Sequence, residues 1–350
     1  MNKDRLTEIE LSRGICMGCV ILIHSTSSSL VDISSHSALY PIFLLVNKLA
    51  CFSVPAFLFL SGVVLFYKYA DGWKRNQWLP FYLRRAKYVL IPYIIWAVIY
   101  YFFYYAVYGD YNSITFIGLM EQLALGKTFY HLYFAVLIIQ YYLLTPILLS
   151  VAGAGRRNSM FVLGFAVLVQ ASMSFLSDTY FGLEDNSFLF TTYFASFVLG
   201  CWFGQYYENI MRRMESRKGA LYGLCIGLTV LYSWVRLGDV YGRISLHPLL
   251  TELIVHSYCL SVAVSLLLIS RSWSGPHGVT KLIKLAGVCS FGVYLIHPAV
   301  LILLEKLIAF FGPAAYPFGI VLIFIGTTAA SVSLVYMLRL WKGSWVLVGR

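Results

Sequence analysis

The sequence predicts an all-α, polytopic integral membrane protein with about ten transmembrane helices and both termini in the cytoplasm. Three observations lead to this fold class. Hydrophobic residues make up 60% of the 350 residues and charged residues only 12%, whereas a soluble domain carries about 25% charged residues. Apolar runs of about 20 residues, the length that crosses a bilayer as a helix, recur along the chain. Lysine and arginine cluster in every second connection between them.

The apolar runs give ten candidate spans, which follow one another without a soluble or low-complexity segment between them. They cover residues 9–30, 43–67, 86–108, 131–151, 160–176, 188–207, 219–237, 250–269, 283–305 and 316–340. We therefore expect one transmembrane domain over residues 1–350. The first span is expected to be a retained helix, because no small-residue cleavage site follows it.

The basic residues set the predicted orientation. With a cytoplasmic N-terminus, the inner segments hold the cations at residues 3–5, 68–87, 156–157, 212–218, 271–284 and 339–350. The outer segments hold only Lys48, Lys127, Arg236, Arg243 and Lys306. This asymmetry follows the positive-inside rule. It accounts for the net charge of +11, so we expect the bilayer as a partner and no nucleic acid.

The seven cysteines indicate neither a disulfide framework nor a metal site. They lie in or beside apolar runs, and their number is odd. Cys16 and Cys19 form a C-x-x-C motif, which suits redox or zinc chemistry in a soluble protein. Here the motif lies inside a membrane span without a second ligand pair, so we interpret both as small core residues.

The first span carries two ionisable side chains, Arg13 and His24, inside its apolar run. Their separation of eleven residues is about three helical turns, so both lie on one face, about 16 Å apart along the axis. Ionisable groups inside a bilayer are costly and mark functional sites. The alternative is that Arg13 reaches to the lipid headgroups and His24 is a satisfied core histidine. Glu10, three residues before Arg13, is placed to pair with it and support it.

Other polar residues can be placed by depth. Arg84, Arg85 and Lys87 fall at the cytoplasmic start of the third span, where they either bind an anion or only set the topology. Ser61 lies in the inner half of the second span, and Ser61-Gly62 also suits close helix packing.

Two further histidines fall in the outer half of the membrane. His131 is at the outer end of the fourth span, and His297 precedes Pro298 in the ninth. Each is a candidate for substrate binding, with contact to headgroups as the alternative for His131 and a helix kink as the alternative for His297.

This distribution suits one kind of ligand. Guanidinium groups bind phosphate through paired hydrogen bonds, and a neutral imidazole acts as a general base near neutral pH. An acyl-coenzyme A has phosphates at one end, a thin arm, and a thioester at the other. His24 is placed to act as the general base for an acceptor alcohol, either in direct attack on that thioester or after forming an acyl intermediate on itself.

Five motifs, in this order, resemble the membrane-bound acyltransferase family 3, the integral-membrane O-acyltransferases of bacterial surface polysaccharides. The first is the Arg13–His24 pair with Glu10. The other four, ending near residue 305, are Val54–Gly62 (VPAFLFLSG), Phe81–Tyr93 (FYLRRAKYVLIPY), Tyr130–Pro146 (YHLYFAVLIIQYYLLTP) and Ser290–Pro298 (SFGVYLIHP).

The resemblance implies a multi-pass protein of the bacterial inner (plasma) membrane that transfers an acyl group, not an aminoacyl group, from cytoplasmic acyl-coenzyme A. The acceptor is implied to be a hydroxyl of a polysaccharide or lipid-linked glycan. It assigns catalysis to His24 and donor binding or site architecture to Arg13. Its third-helix Arg-x-x-Arg corresponds to Arg84-x-x-Lys87, where lysine keeps the charge but loses the guanidinium fork. Tyr133 stands where the family more often has tryptophan.

The amino-acid sequence of the basic run and the short length of the chain look most like the branch that O-acetylates or O-succinylates exopolysaccharides. That resemblance also implies other polysaccharide-synthesis proteins as partners. Acetyl-coenzyme A and succinyl-coenzyme A are both open as donors, and no permanently bound cofactor is expected. The alternative function is a transporter or flippase that exports the polysaccharide or its precursor. Transporters more often show inverted repeats with broken helices, which the sequence does not display.

Overall fold

The computed structural model describes residues 6–34, 37–109, 114–152, 156–176, 187–273, 275, 278–309 and 316–349. The described part is built from helices and their connections. The helices are α1 (Thr7–Asp32), α2 (Tyr40–Ala50), α3 (Ser53–Tyr69), α4 (Trp78–Arg85), α5 (Ile91–Tyr108), α6 (Phe116–Leu125), α7 (Tyr133–Ala152), α8 (Arg156–Leu176), α9 (Phe194–Gln205), α10 (Tyr207–Glu215), α11 (Lys218–Val240), α12 (Pro248–Ser272), α13 (Gly278–Val288), α14 (Ser290–Ala309), α15 (Tyr316–Arg339) and α16 (Trp345–Val348).

Nine helical stretches of the described chain are long and apolar enough to cross a membrane, and they match nine of the ten predicted spans. The all-α polytopic fold class is thus confirmed. The cations at residues 3–5 and 350, and the side chains at 156–157, lie outside the described residues. The cytoplasmic placement of both termini remains a prediction.

The prediction that residues 188–207 form one continuous helical span is wrong. The helix there begins only at Phe194, after a 3₁₀ turn over Phe190–Tyr193. Gln140 in α7 holds the segment before it: its Nε2 donates to the Phe188 carbonyl at 2.7 Å, and its Oε1 accepts from the Phe190 amide at 3.0 Å. The backbone there is satisfied without a helix.

The helix α9 still carries the chain back to the side where α7 ends. The Ala195 amide donates to Gln170 Oε1 late in α8, at 2.9 Å. At the other end of α9, Gln205 Nε2 donates to the carbonyl of Ala152 at 3.1 Å. These contacts place α9 antiparallel to α8, although its 12 residues are not among the stretches long enough to cross a membrane.

Two more predicted spans differ from the structure, and each contains a proline. The second is broken after Ala50 because Pro55 lacks the N–H that the Cys51 carbonyl would accept from in a continuous helix. The third starts earlier than predicted, at Arg75 and not at residue 86. It contains a π-helical turn over Ala86–Leu90, directly before Pro92, in which the Ile91 amide donates to the Ala86 carbonyl.

The ninth predicted span, 283–305, begins later in the structure, at Ser290. The residues before it form the separate short helix α13, which packs on α1. A methyl group on Gly287 would lie 1.8 Å from the Glu10 carbonyl oxygen, so only glycine allows this approach. The connection between the third and fourth predicted spans, residues 109–130, contains a further helix, α6, that the sequence analysis did not predict.

Helix α1 lies between two hydrophobic cores. Ile9 and Cys16 pack with residues of α3 and of the four helices from α9 to α12. Met17 and Ile21 pack instead with residues of α5, α14 and α15. Helix α3 is held close to α9, since a methyl group on Gly200 would lie 2.1 Å from the Phe59 carbonyl oxygen. The close packing predicted for Gly62 belongs to this contact, because Gly62 lies equally close to α9. Close packing therefore holds both α1 and α3 in place on either side of the space between them.

Candidate functional site

A cavity of about 260 Å³ lies between α1, α3, the basic segment of the third span, α7 and α14. Helix α1 contributes one face to it, with side chains spaced by three or four residues. The residues that line the cavity are Arg13, Met17, Val20, His24, Val54, Phe57, Ser61, Val64, Leu65, Arg85, Tyr88, Val89, His131, Tyr133, Phe134, Ile138, Tyr142, Ser290, Phe291 and Tyr294. Arg13 and His24 therefore share one cavity, as the eleven-residue spacing predicts.

Two guanidinium groups line one end of the cavity. Arg85 stacks on the rings of Tyr142 and Phe81, at 4.6 and 5.1 Å from its central carbon to the ring centroids. Its Nε is buried and has no hydrogen-bond partner among the described residues. Arg13 lines the same end from α1. None of the described lining residues is acidic, so this end carries positive charge and suits an anion.

The two other predicted cations of the basic segment lie outside the cavity. Arg84 is exposed on another face of α4. The Lys87 ammonium lies over the ring of Trp345 in α16, 4.7 Å from its centroid, and over Tyr88 at 5.4 Å. Of the three, the structure brings only Arg85 together with Arg13.

The predicted support by Glu10 remains a prediction. Glu10 lies one turn before Arg13 in α1, where its backbone meets Gly287 of α13. The close contact between α1 and α13 fixes the start of α1, from which Arg13 projects.

Two predicted residues line the middle of the cavity. Ser61 is 9% exposed and projects from α3 one position before the tightly packed Gly62. Tyr133 projects from the first turn of α7. The cavity walls between the charged end and the histidines are otherwise mainly apolar, which limits water around a bound ligand.

Three imidazoles meet at the other end. The His24 ring lies 5.4 Å from that of His297, and the His131 ring lies 5.5 Å from that of His297, measured between ring centroids. His24 and His131 line the cavity, whereas His297 lies behind them and is 0% exposed. His297 therefore does not reach a ligand in the cavity.

The His131 segment is held by tyrosine hydroxyl groups. The Tyr294 hydroxyl donates to the His131 carbonyl at 2.8 Å and accepts from the Ala135 amide at 3.2 Å. The Tyr100 hydroxyl donates to the Leu295 carbonyl at 2.8 Å. His131 itself is 2% exposed.

His24 also contacts a residue outside the cavity. The Tyr130 ring, which is 47% exposed, lies 4.7 Å from the His24 ring. His24 thus forms part of the wall between the cavity and an exposed aromatic surface.

No group of three or more His, Cys, Asp or Glu side chains in the described chain is arranged to hold a metal ion. Imidazoles transfer protons and form hydrogen bonds near neutral pH, so the histidine cluster is suited to both.

The sequence analysis missed several lining residues, among them Tyr88, Tyr142 and Tyr294. All three lie inside motifs that it quoted, but each of those motifs contains several aromatic residues. Helical spacing from Arg85 is the signal that would have found Tyr88, because residues three apart share a face.

Comparison with known proteins gives a family and curated relatives. The profile of the acyltransferase domain that defines acyltransferase family 3 matches residues 6–336. Proteins of Staphylococcus aureus strains N315 and MW2, each described as a probable poly-beta-1,6-N-acetyl-D-glucosamine export protein, are 25% identical over 323 residues. That alignment covers 89% of this chain and 85% of each relative. The protein of strain MRSA252 with the same description is 24% identical. No solved structure matches the chain.

Proposed function

The chain belongs to acyltransferase family 3 and is a multi-pass membrane acyltransferase, and from that premise we propose a specific reaction. The protein transfers a short acyl group, acetyl or succinyl, from cytoplasmic acyl-coenzyme A to a hydroxyl group of a cell-surface polysaccharide or its lipid-linked precursor. It does so in the plasma membrane of a bacterium.

The observation that carries this proposal is the single cavity that joins two guanidinium groups to an imidazole. Arg13 and Arg85 bind the phosphates of the nucleotide end. The thin arm runs past Ser61 and Tyr133 toward His24, which lies about 16 Å from Arg13 along α1. Only the arm and the acyl group need to enter, and a volume of about 260 Å³ suits that part of the ligand.

His24 acts as the general base. It takes the proton of the acceptor hydroxyl while that oxygen forms a bond to the thioester carbonyl carbon. The carbon–sulfur bond then breaks, and His24 returns the proton to the departing thiolate. The products are an ester on the glycan and free coenzyme A, and no oxidant or metal is needed.

The acceptor approaches His24 from the side of Tyr130. This ring contacts His24 but does not line the cavity, and nearly half of it is exposed. The predicted topology places this surface on the outer side of the membrane. An exposed aromatic ring offers an apolar face to a sugar, so the donor and the acceptor reach His24 from opposite sides.

The relatives' description favours a second candidate function, export of the glycan. In that function the chain would move glycan across the membrane without an acyl donor. The two functions predict different products, because only the transferase alters the mass of the glycan.

The test uses the purified full-length protein in lipid vesicles with labelled acetyl- or succinyl-coenzyme A and an amino-sugar oligosaccharide. Mass spectrometry of the oligosaccharide is expected to show the added acyl mass, and the His24→Ala variant at equal protein level is expected to lack it. Glycan movement into vesicles without any acyl donor, and no added acyl mass, would support export instead. Mass spectrometry of the surface glycan of cells with and without the gene identifies the acyl group.

A further inference from the structure

The buried His297 has a feature that the proposed reaction does not use. Its Nε2 has no hydrogen-bond partner among the described residues, although the side chain is 0% exposed. A buried polar atom without a partner costs free energy, so it calls for a functional explanation. We infer that His297 is a positioning residue that accepts a hydrogen bond from His24 and thereby orients the catalytic ring; this inference rests on the proposed function.

The tautomer of His297 follows from its backbone contacts. Its Nδ1 lies 2.9 Å from the Tyr294 carbonyl oxygen and 3.1 Å from the Val293 carbonyl oxygen. Carbonyl oxygens only accept hydrogen bonds, so Nδ1 must carry the proton. In the neutral ring, Nε2 is then the unprotonated nitrogen, and it offers a lone pair to a donor.

The donor that fits best is His24. An N–H···N hydrogen bond of about 2.9 Å between two imidazoles that meet edge to edge places their centroids about 5.3 Å apart. The centroids of His24 and His297 are 5.4 Å apart, and their planes differ by 33°. Both N–H bonds and lone pairs lie in the ring plane, so a small angle between planes suits such a bond.

His131 is the competing donor, and its geometry is less suitable. Its ring lies 5.5 Å from that of His297 but at 78°, an edge-to-face arrangement. It is also held between the rings of Tyr100 and Tyr294, at 4.9 and 5.2 Å. His24, in contrast, has the cavity on one side. The bond to Nε2 is not formed in the structure, but a rotation of the His24 ring at the observed separation of 5.4 Å would form it.

A hydrogen bond from His24 to His297 has two consequences for the proposed reaction. It fixes the proton on the nitrogen that faces His297, so the other nitrogen of His24 presents its lone pair to the acceptor hydroxyl. It also stabilises the imidazolium that forms when His24 takes the proton. A carboxylate has this role in the serine hydrolase triad, and here a neutral imidazole has it.

The test compares two amide variants. In His297→Gln the side-chain amide reaches the position of Nε2 and can accept from His24. In His297→Asn the amide reaches only the position of Nδ1. We expect the Asn variant to lower kcat for acyl transfer by about 10- to 100-fold, the Gln variant to lower it by less than about fivefold, and KM for acyl-coenzyme A to stay unchanged in both.

His256→Asn is the matched control, because His256 lies in α12 beside Tyr193 and does not line the cavity. It is expected to retain the wild-type kcat. Equal losses in the Asn and Gln variants of His297 would show a packing role only, and a fully active Asn variant would overturn the inference. Protein levels in the membrane are measured for each variant.

A second measurement needs no activity. Imidazole ¹⁵N NMR of histidine-labelled protein, with His297→Gln for assignment, reports which nitrogen of each ring carries the proton. We expect His297 to carry it on Nδ1; a proton on Nε2 would overturn the inference even if transfer occurs. An active wild type with the wrong tautomer refutes this inference alone, whereas an inactive wild type with the expected tautomer refutes the proposed donor or acceptor instead.

Discussion

At the Arg13 end of the cavity, two guanidinium groups face the open space, and Arg85 stacks on aromatic rings. At the His24 end, His24 and His131 each pack against His297, at 5.4 and 5.5 Å between ring centroids, and two of the three imidazoles are almost completely buried. The first end carries fixed charge that faces the ligand. The second presents the imidazoles of His24 and His131 to the cavity, with His297 packed behind them.

This difference separates binding from chemistry within one cavity. A fixed cation interacts with a bound phosphate in the ground state and in the transition state alike, so its loss raises KM for the donor. A base interacts with the moving proton only in the transition state, so its loss lowers kcat. Substitutions at the two ends should therefore differ in which kinetic constant they change.

The largest expected effect is at the histidine end. His24→Ala removes the general base, and we expect kcat to fall by about 10²- to 10⁴-fold with KM for acyl-coenzyme A unchanged. The measurement is transfer of labelled acyl groups by purified protein in vesicles. Acylation at the full rate by a variant present at the normal level would end the assignment of His24.

The next largest effect is at the cationic end. Arg13→Ala should raise KM for acyl-coenzyme A by about 10- to 100-fold, because a charge-assisted hydrogen bond to phosphate is lost. Arg13→Lys should recover part of that loss, since it keeps the charge without the fork. Equilibrium binding of a non-hydrolysable acyl-coenzyme A analogue provides the check, and unchanged binding by the Ala variant would contradict the comparison.

A smaller effect distinguishes two neighbouring arginines. Arg85→Ala should raise KM for the donor by about tenfold, while Arg84→Ala should change it by less than about twofold, because only Arg85 lines the cavity. Both variants remove one positive charge from the same segment, so each is the control for the other. Equal effects would mean that general surface charge, and not the cavity, attracts the donor.

The smallest effect tests the resemblance against the structure. The family motif implies that Lys87 binds the donor, but its ammonium lies over Trp345. Lys87→Ala should therefore leave KM for acyl-coenzyme A within about twofold and lower the midpoint of thermal unfolding by a few degrees at most. A large rise in KM without any loss of thermal stability would favour the motif's assignment.

The sequence was sufficient for nine of the ten predicted spans and for the relation between Arg13 and His24. Both follow from regular helix geometry, since nine predicted spans have matching helices and eleven residues correspond to one helix face. The sequence also drew attention to Arg85, but it could not choose among three adjacent cations. Hydrophobic residues lie on several sides of the helical segment that carries these cations. The hydrophobic pattern therefore does not indicate which side faces a cavity.

Features that depend on side chains from distant parts of the chain were not predictable. The sixth span is shortened because Gln140, about 50 residues earlier, satisfies the backbone before α9. The tautomer of His297 depends on its own helix, but its role depends on His24, which lies more than 270 residues away in sequence. The periodicity of hydrophobic residues predicts which residues of one helix share a face, but it does not predict contacts between helices that are distant in sequence.

The packing of α16 has a consequence for biosynthesis. Trp96 in α5 donates its indole N–H to the Leu347 carbonyl at 2.7 Å, and Lys87 rests on Trp345. Residues 345–348 leave the ribosome about 250 residues after the basic segment that they support. Until then the basic segment lacks its contacts with α16, so a translation arrest shortly before residue 345 would leave the earlier helices without them.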